Sequence, residues 1–299
     1  MEINAYAKIN LGLDIVGRRE DGYHDLRMIM QQINLYDVIA IEAEPETEGN
    51  GEIGRIHLTC SEPSLPTDEG NLAYRAAALL FEEFRITDSV DIDIRKEIPL
   101  AAGLAGGSSD AAAVLTGINE YFGLGLSDTE LMERGVKLGA DIPFCIMGGA
   151  AYASGIGDEL EPLTTPEGLT FLLAVPDAEV STAGVYADFD RMVLAGEEIR
   201  HPDIEHMRAA MEMEDFACVP EFLGNVLEYV TVPRHPVISK VKEVFMRSGA
   251  AGALMSGSGP SVYGIYVDEE KAASAFDALA STGLVPEERI FLTHPRVLQ

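Results

Sequence analysis

Apolar positions recur at the strand period through the first part of the chain. From Ile3 to Val16 the residues are strand-like, and Gly17-Arg18-Arg19-Glu20-Asp21-Gly22 closes them with an Asp-Gly turn signal. Val38-Ile39-Ala40-Ile41-Glu42 and Arg55-Ile56-His57-Leu58-Thr59 read as two further strands around a polar, exposed loop from Glu44 to Gly54. The period then changes: Asn71 to Phe84 sets Leu72, Ala76, Leu79 and Leu80 on one side of a helix. Val90-Asp91-Ile92-Asp93-Ile94 alternates as a half-buried strand and delivers the chain to a glycine-rich stretch, Pro99-Leu100-Ala101-Ala102-Gly103-Leu104-Ala105-Gly106-Gly107-Ser108-Ser109. Asp110 to Tyr121 reads as a helix, and Ser127-Asp128-Thr129-Glu130 is a capping box opening another that ends near Gly139, with Asp141 just beyond.

The pattern restarts in the second half. Thr170 to Pro176 is a buried strand, Pro236 to Ser248 a helix with proline at its start, Ser261 to Tyr266 a strand and Glu270 to Ala280 a helix. The break falls near Gly148 to Gly157, which predicts two mixed α and β halves, 1–152 and 153–299. No internal repeat or low-complexity tract interrupts them.

Composition narrows the function classes. With 299 residues and 47% apolar content, the chain can bury one large core or two ordinary ones. Its 50 acidic against 21 basic residues leave a net charge of -29, which repels nucleic acid and anionic lipid, so neither is an expected partner. Any phosphorylated ligand must then be met by backbone N–H groups and a few well-placed cations. Cys60, Cys145 and Cys218 show no C-x-x-C spacing and suggest neither a disulfide framework nor a zinc ribbon, which fits a reducing cytoplasm. No signal peptide or membrane-spanning run is expected from the apolar pattern. His201 and His206 with Glu205 do not share one helical face, so a solvated helix is expected there and no metal site.

The glycine-rich stretch carries the first chemistry. Gly103, Gly106 and Gly107 remove Cβ atoms where a backbone would wrap an anion, and Ser108 and Ser109 add hydroxyls at the start of the following helix, one of which could help hold magnesium on a nucleotide. A helix N-terminus offers unpaired N–H groups and partial positive charge, so no dedicated lysine is required. The string matches neither G-x-x-x-x-G-K-[ST] nor G-x-G-x-x-G. Taken alone, it is equally a close-packed strand-to-helix turn.

Its wider context resembles the central motif, P-x-x-x-G-L-G/A-G-G-S-S-[DN]-A, of the galactokinase, homoserine kinase, mevalonate kinase and phosphomevalonate kinase superfamily. Further segments resemble one branch of it, the kinases that phosphorylate the 2-hydroxyl of a cytidylyl-linked methylerythritol in non-mevalonate isoprenoid synthesis. These are Ala7-Lys8-Ile9-Asn10-Leu11, Arg19-Glu20-Asp21-Gly22-Tyr23-His24, Leu138-Gly139-Ala140-Asp141-Ile142-Pro143 and Ser256-Gly257-Ser258-Gly259-Pro260-Ser261.

The resemblance implies an α/β chain of the α+β type with the two-domain fold of these kinases, the active site in the cleft between domains, ATP with its Mg2+, and a small-molecule acceptor. Asp141 would accept the proton of the attacking hydroxyl, Lys8 would orient that carboxylate and offset phosphate charge, and Asn10 would position the hydroxyl or Asp141. Tyr23 and His24 would take the cytosine by stacking and hydrogen bonding, with Tyr186 as a second stacking aromatic and Thr182 near the acceptor end. Pro99 to Ser109 would cradle the phosphates, with Ser256 to Ser261 and Gly249 to Gly252 as glycine turns beside them, while Asn71 and Lys96 would line the nucleotide pocket. By residue type alone, a lysine such as Lys8 is usually a solvated surface residue and an aspartate before Ile-Pro such as Asp141 often only a helix terminator or turn residue. A homoserine or mevalonate kinase is the nearest rival, and neither acceptor carries a base for Tyr23 and His24. A binding protein that has lost transfer is a third reading, disfavoured by the presence of both Lys8 and Asp141.

Overall fold

The computed structural model describes residues 1–45 and 52–298, so most of the polar loop expected at Glu44 to Gly54 lies outside the described residues. In chain order the first elements are β1 (Glu2–Arg18), β2 (His24–Glu44), β3 (Ile56–Cys60), α1 (Leu72–Phe84), β4 (Ser89–Arg95), α2 (Gly106–Tyr121), α3 (Asp128–Gly135) and α4 (Ile142–Met147). Then follow β5 (Ala150–Ser154), β6 (Glu159–Leu163), β7 (Thr170–Ala174), α5 (Thr182–Leu194), α6 (Ile204–Glu212), β8 (Gly224–Asn225), α7 (Glu228–Arg234), α8 (Val237–Arg247), β9 (Gly252–Met255), β10 (Val262–Tyr266), α9 (Glu269–Ala280) and β11 (Ile290–Thr293). The chain forms two compact units, one of Met1–Ala7, Leu35–Ile98 and Ala105–Gly148, the other of Lys8–Asn34, Pro99–Leu104 and Gly149–Gln299.

In the first unit, β4 runs antiparallel to β2 from Val38 opposite Arg95 to Glu44 opposite Ser89, and β3 lies parallel to β4. Helices α1 and α2 pack on this sheet, with α3 and α4 packed on α2, and Ile39, Ile41, Leu58, Leu80, Phe81, Ile92, Ile94, Val114 and Leu115 belong to the core. Each such side chain contributes roughly 1.5–3 kcal/mol when fully removed from water. Ala111, Ala112 and Ala113 keep α2 thin, and at Gly117 an added Cβ would stand 2.5 Å from both Ile3 Cδ1 and Ile41 Cδ1. The expected capping box is present: Glu130 N–H donates to Ser127 Oγ at 3.3 Å and Ser127 N–H to Glu130 Oε2 at 2.9 Å. That helix stops at Gly135 and does not reach Gly139, and at its end a Cβ on Gly135 would lie 2.6 Å from Ile142 Cγ2, so α4 packs closely there.

In the second unit, β8 lies parallel to β1 at Gly12 and Leu13, while β5 pairs with β2 at Met28 to Gln31 and β6 with β5. A separate antiparallel sheet has the order β11-β7-β10-β9. Helix α8 packs on β9 and β10, and α9 on β7 and β11. Phe171, Phe245, Tyr263 and Tyr266 are fully enclosed there, Phe171 meeting Tyr263 edge-on at 5.9 Å. Residues 24–37 belong to β2, although only 38–42 is legible as a strand in the sequence. Met28 to Ile33 is buried on both faces with Gln31 and Gln32 among them, which erases the alternation a half-exposed strand shows. Among the described residues no helix is long and apolar enough to cross a membrane.

Candidate active site

The glycine-rich segment is built by alternating backbone sign. Ala101, Gly103 and Ala105 have φ of 50°, 76° and 60°, so the left-handed positions fall on two alanines and one glycine. Gly106 and Gly107 are instead the first residues of α2. Ala105 stands at the helix N-cap and gives no side-chain cap, leaving the opening N–H groups of a 16-residue helix to find other acceptors. Ser108 is half-buried at this start. The hydroxyl of Ser109 turns inward, donating to the Tyr6 carbonyl at 2.6 Å, so it is committed within the fold.

The first half of the segment is held by the C-terminal glycine motif. Ser256 Oγ donates to the Gly103 carbonyl at 3.0 Å, and Ser261 N–H to the Ala102 carbonyl at 3.4 Å. A Cβ on Gly103 would lie 2.5 Å from the Ser256 carbonyl oxygen, so the two backbones touch directly. Lys8 N–H donates to the Leu104 carbonyl at 3.0 Å. Lys8 and Asn10, two apart on β1, point the same way: Lys8 Nζ donates to Asn10 Oδ1 at 2.7 Å, and both are buried. Asn10 is further fixed by its N–H to Ser256 Oγ at 3.4 Å and by the Tyr263 hydroxyl, which donates to its carbonyl at 2.8 Å. Burial holds the Tyr263 hydroxyl well above the usual phenol range, keeping it a donor.

Two residues not legible in the sequence brace this region. Asn225 Nδ2 donates to the Met255 and Gly257 carbonyls at 2.9 and 2.7 Å, and Thr231 Oγ1 to the Ser258 carbonyl at 3.0 Å. Thr182, at the first turn of α5, has its hydroxyl 2.8 Å from that of Ser258.

Tyr23 and His24 follow the predicted turn, where Tyr23 N–H donates to Asp21 Oδ1 at 3.0 Å. The Tyr23 ring is exposed, whereas His24 is half-buried against Tyr186, with ring centroids 5.0 Å apart. His24 Nε2 lies 2.7 Å from Asp190 Oδ1, and Arg18 lies 3.3 Å from the other oxygen of that carboxylate. In a neutral imidazole this makes Nε2 the donor and leaves Nδ1 an acceptor. Tyr186 and Asp190 are one turn apart on α5, an i,i+4 pair visible in the sequence once α5 is known to be helical. An open cavity of about 450 Å³ is lined by Asp188, Arg191, Tyr229 and Arg234, and includes none of the predicted site residues.

Asp141 belongs to the other unit from Lys8. It is half-buried at the head of α4, with Pro143 in that helix's first turn. Gly139, two residues before it, has its Cβ direction 3.9 Å from Ser108 Oγ, so the Leu138 to Pro143 motif adjoins the start of α2. Asn71 caps α1, its Oδ1 accepting Ala73 N–H at 2.9 Å and its Nδ2 donating to the Pro66 carbonyl at 2.9 Å. Lys96 is enclosed between Asp37 and Asp110, at 2.5 and 2.7 Å. Burial, aided by the Asp37 charge and opposed by Lys96, pushes the Asp110 carboxyl up to about 7. Burial pulls the Lys96 ammonium down, but the two carboxylates outweigh it and raise its pKa. Of the histidines set aside above, His201 pairs with Asp14 at 2.6 Å and His206 with Asp203 at 2.7 Å.

The two halves of the chain match the GHMP kinase N-terminal domain over residues 71–149 and the GHMP kinase C-terminal domain over 197–284, and the chain belongs to the GHMP kinase family. A solved L. major mevalonate kinase shares the fold at TM-score 0.72 and 15% identity, over 100% of this chain and 97% of that one. Within the family the chain is similar to 4-diphosphocytidyl-2-C-methyl-D-erythritol kinase of Acetivibrio thermocellus, at 43% identity over 94% of this chain and 95% of that protein. It is also similar to the kinase of the same name from Caldicellulosiruptor bescii, at 45% identity over 93% and 94%. A crystal structure of 4-(cytidine 5'-diphospho)-2C-methyl-D-erythritol kinase matches over the full length of both chains with TM-score 0.79 and 31% identity. The chain is accordingly an ATP-using phosphotransferase of non-mevalonate isoprenoid synthesis.

Proposed function

We propose that the chain transfers the γ-phosphoryl group of ATP to the 2-hydroxyl of 4-diphosphocytidyl-2-C-methyl-D-erythritol, using the residues identified above. The observation that carries this reading is the start of α2, an uncapped helix N-terminus entered through a backbone of left-handed residues, which offers N–H groups to an anion. Residues 99–109 hold the phosphates in this reading. Asp141 takes the proton of the attacking hydroxyl, Lys8 offsets charge on the transferring group, and Asn10, which accepts from Lys8, orients that ammonium. The family motif supports the joint role of Lys8 and Asp141. Tyr23 and Tyr186 supply ring faces for the base, and the free Nδ1 of His24 suits an amino group such as that of cytosine. Thr182 meets the acceptor end.

Magnesium enters with the nucleotide. In this reading the nucleotide's phosphates would supply most of the ion's ligands, and the Ser108 hydroxyl, half-buried at the start of α2, would add one. When bound, the ion neutralises charge between the phosphates. The functional division at residue 152, a cytoplasmic location and the absence of nucleic-acid or membrane partners belong to the same proposal.

The test is Asp141→Asn, assayed by ATP binding and by turnover with the cytidylyl acceptor, homoserine and mevalonate offered in turn. ATP binding at parental affinity with turnover lost is expected. Unchanged turnover removes Asp141 from the mechanism, and phosphorylation of homoserine or mevalonate in place of the cytidylyl compound refutes the acceptor.

A further inference from the structure

A fully buried carboxylate outside the reacting groups ties the two ends of the glycine-rich segment together. Asp37 lies on β2 with no exposed surface. Its Oδ1 accepts N–H from Glu97 at 2.6 Å and from Ile98 at 2.8 Å, the last two residues before the segment begins at Pro99. Its Oδ2 accepts from Lys96 Nζ at 2.5 Å, and the same ammonium donates to Asp110 Oδ2 at 2.7 Å, on α2. At Gly106, where the segment becomes α2, an added Cβ would stand 3.1 Å from Ile98 Cγ2 and 3.4 Å from Lys96 Nζ. The start of the helix therefore rests on the residue through which the chain leaves and on the ammonium itself.

One cation between two buried carboxylates is poor value as stability, because desolvation of the charges offsets most of their attraction. As a geometric device it has a clear effect: it sets the separation between Ile98 and Gly106. Between those points the chain must present its backbone donors to a polyphosphate, and misplacement by about 1 Å costs on the order of 100-fold in such arrangements.

We infer that Asp37 is a positioning residue for ATP, clamping the entry and exit of the glycine-rich segment through the Glu97 and Ile98 amides and through Lys96 to Asp110. The inference rests on the segment being the phosphate cradle. Asp37→Asn keeps the size but removes the charge facing Lys96, and Asp37→Glu keeps the charge but moves it by one methylene off the two amides.

The test uses the full chain, with folding followed by circular dichroism and with KM for ATP, KM for the cytidylyl acceptor and kcat measured separately. Both variants are expected to raise KM for ATP tenfold or more while the acceptor KM stays within twofold, a split that a loss of stability alone does not produce. A folded variant of either kind with its ATP KM within twofold of the parent overturns the inference, as do two KM values rising together. Failure of both variants to fold makes Asp37 structural and also overturns it. Gly107→Asp, measured alongside, checks the cradle itself. An unchanged ATP KM there refutes the cradle and the role of Asp37 with it, whereas a raised one beside unaffected Asp37 variants refutes Asp37 alone.

Discussion

Replacing Gly103 by alanine tests the contact between the two glycine motifs most directly. The residue has φ of +76°, where an L side chain costs about 1–2 kcal/mol. The new methyl would lie 2.5 Å from the Ser256 carbonyl oxygen and 3.1 Å from that of Gly259. Ser256 is not free to retreat: its carbonyl accepts Gly259 N–H at 2.9 Å, its N–H donates to Ser261 at 2.9 Å, and its hydroxyl holds the Gly103 carbonyl. Relieving the clash means moving a hydrogen-bonded turn, an overpacking cost of about 1–3 kcal/mol. The sum, roughly 2–5 kcal/mol, is a large part of the 5–15 kcal/mol typical of a folded domain. Urea denaturation of Gly103→Ala against the parent measures it, and kcat/KM for ATP is expected to fall in parallel as the segment shifts. A stability change below about 1 kcal/mol with unaltered kinetics would refute the reasoning, since the backbone would then have room the structure does not show.

Two further outcomes are expected. At Gly107 an added Cβ has only Leu72 Cδ1 within 4 Å, at 3.9 Å, so Gly107→Asp fits sterically and its charge suits the first turn of a helix. Thermal stability should hold or rise slightly, while a carboxylate within about 5 Å of bound phosphate, at an effective dielectric near 20, costs about 3 kcal/mol per phosphate charge and raises KM for ATP at least 100-fold; an unchanged KM removes the cradle. The raised Asp110 carboxyl, about 7 in the fold against about 3.9 for an ordinary aspartate, means that the native state keeps this proton more tightly than the unfolded chain. Its contribution to stability is present in full below about pH 4 and is lost as pH rises through about 7, a fall of about 4 kcal/mol. Denaturation midpoints from pH 4 to 8 should therefore decline less steeply in Asp110→Asn, and identical slopes in the two proteins would contradict the assignment.

Local rules made part of this molecule legible. The Ser127 capping box, the strand at Val90 to Ile94 and the helices α1, α8 and α9 each follow from side chains within a few residues of one another. Only Val38 to Glu42 of β2 followed, because burial on both faces removed the period from the Met28 to Ile33 part, and α5 was hidden by a short apolar face set among polar residues, while the helix expected around His206 is α6. Of the glycine-rich segment, composition showed the intent and not the form: the left-handed turns fall on Ala101 and Ala105 as well as Gly103, and Ser109 faces inward.

By itself, then, the sequence determined the order of motifs, the starts of the capped helices α1 and α3 and the acidic character, since motif chemistry and capping depend on neighbours along the chain. Tertiary structure decided the partners. Asp190 reaches His24 across 166 positions, Ser256 reaches Gly103 across 153, and Asp37 reaches Ile98 across 61. Each of these bonds exists only once strands are in register and helices are seated, because an unpaired buried polar group is costly and its partner is chosen by whichever element packing brings within about 3 Å.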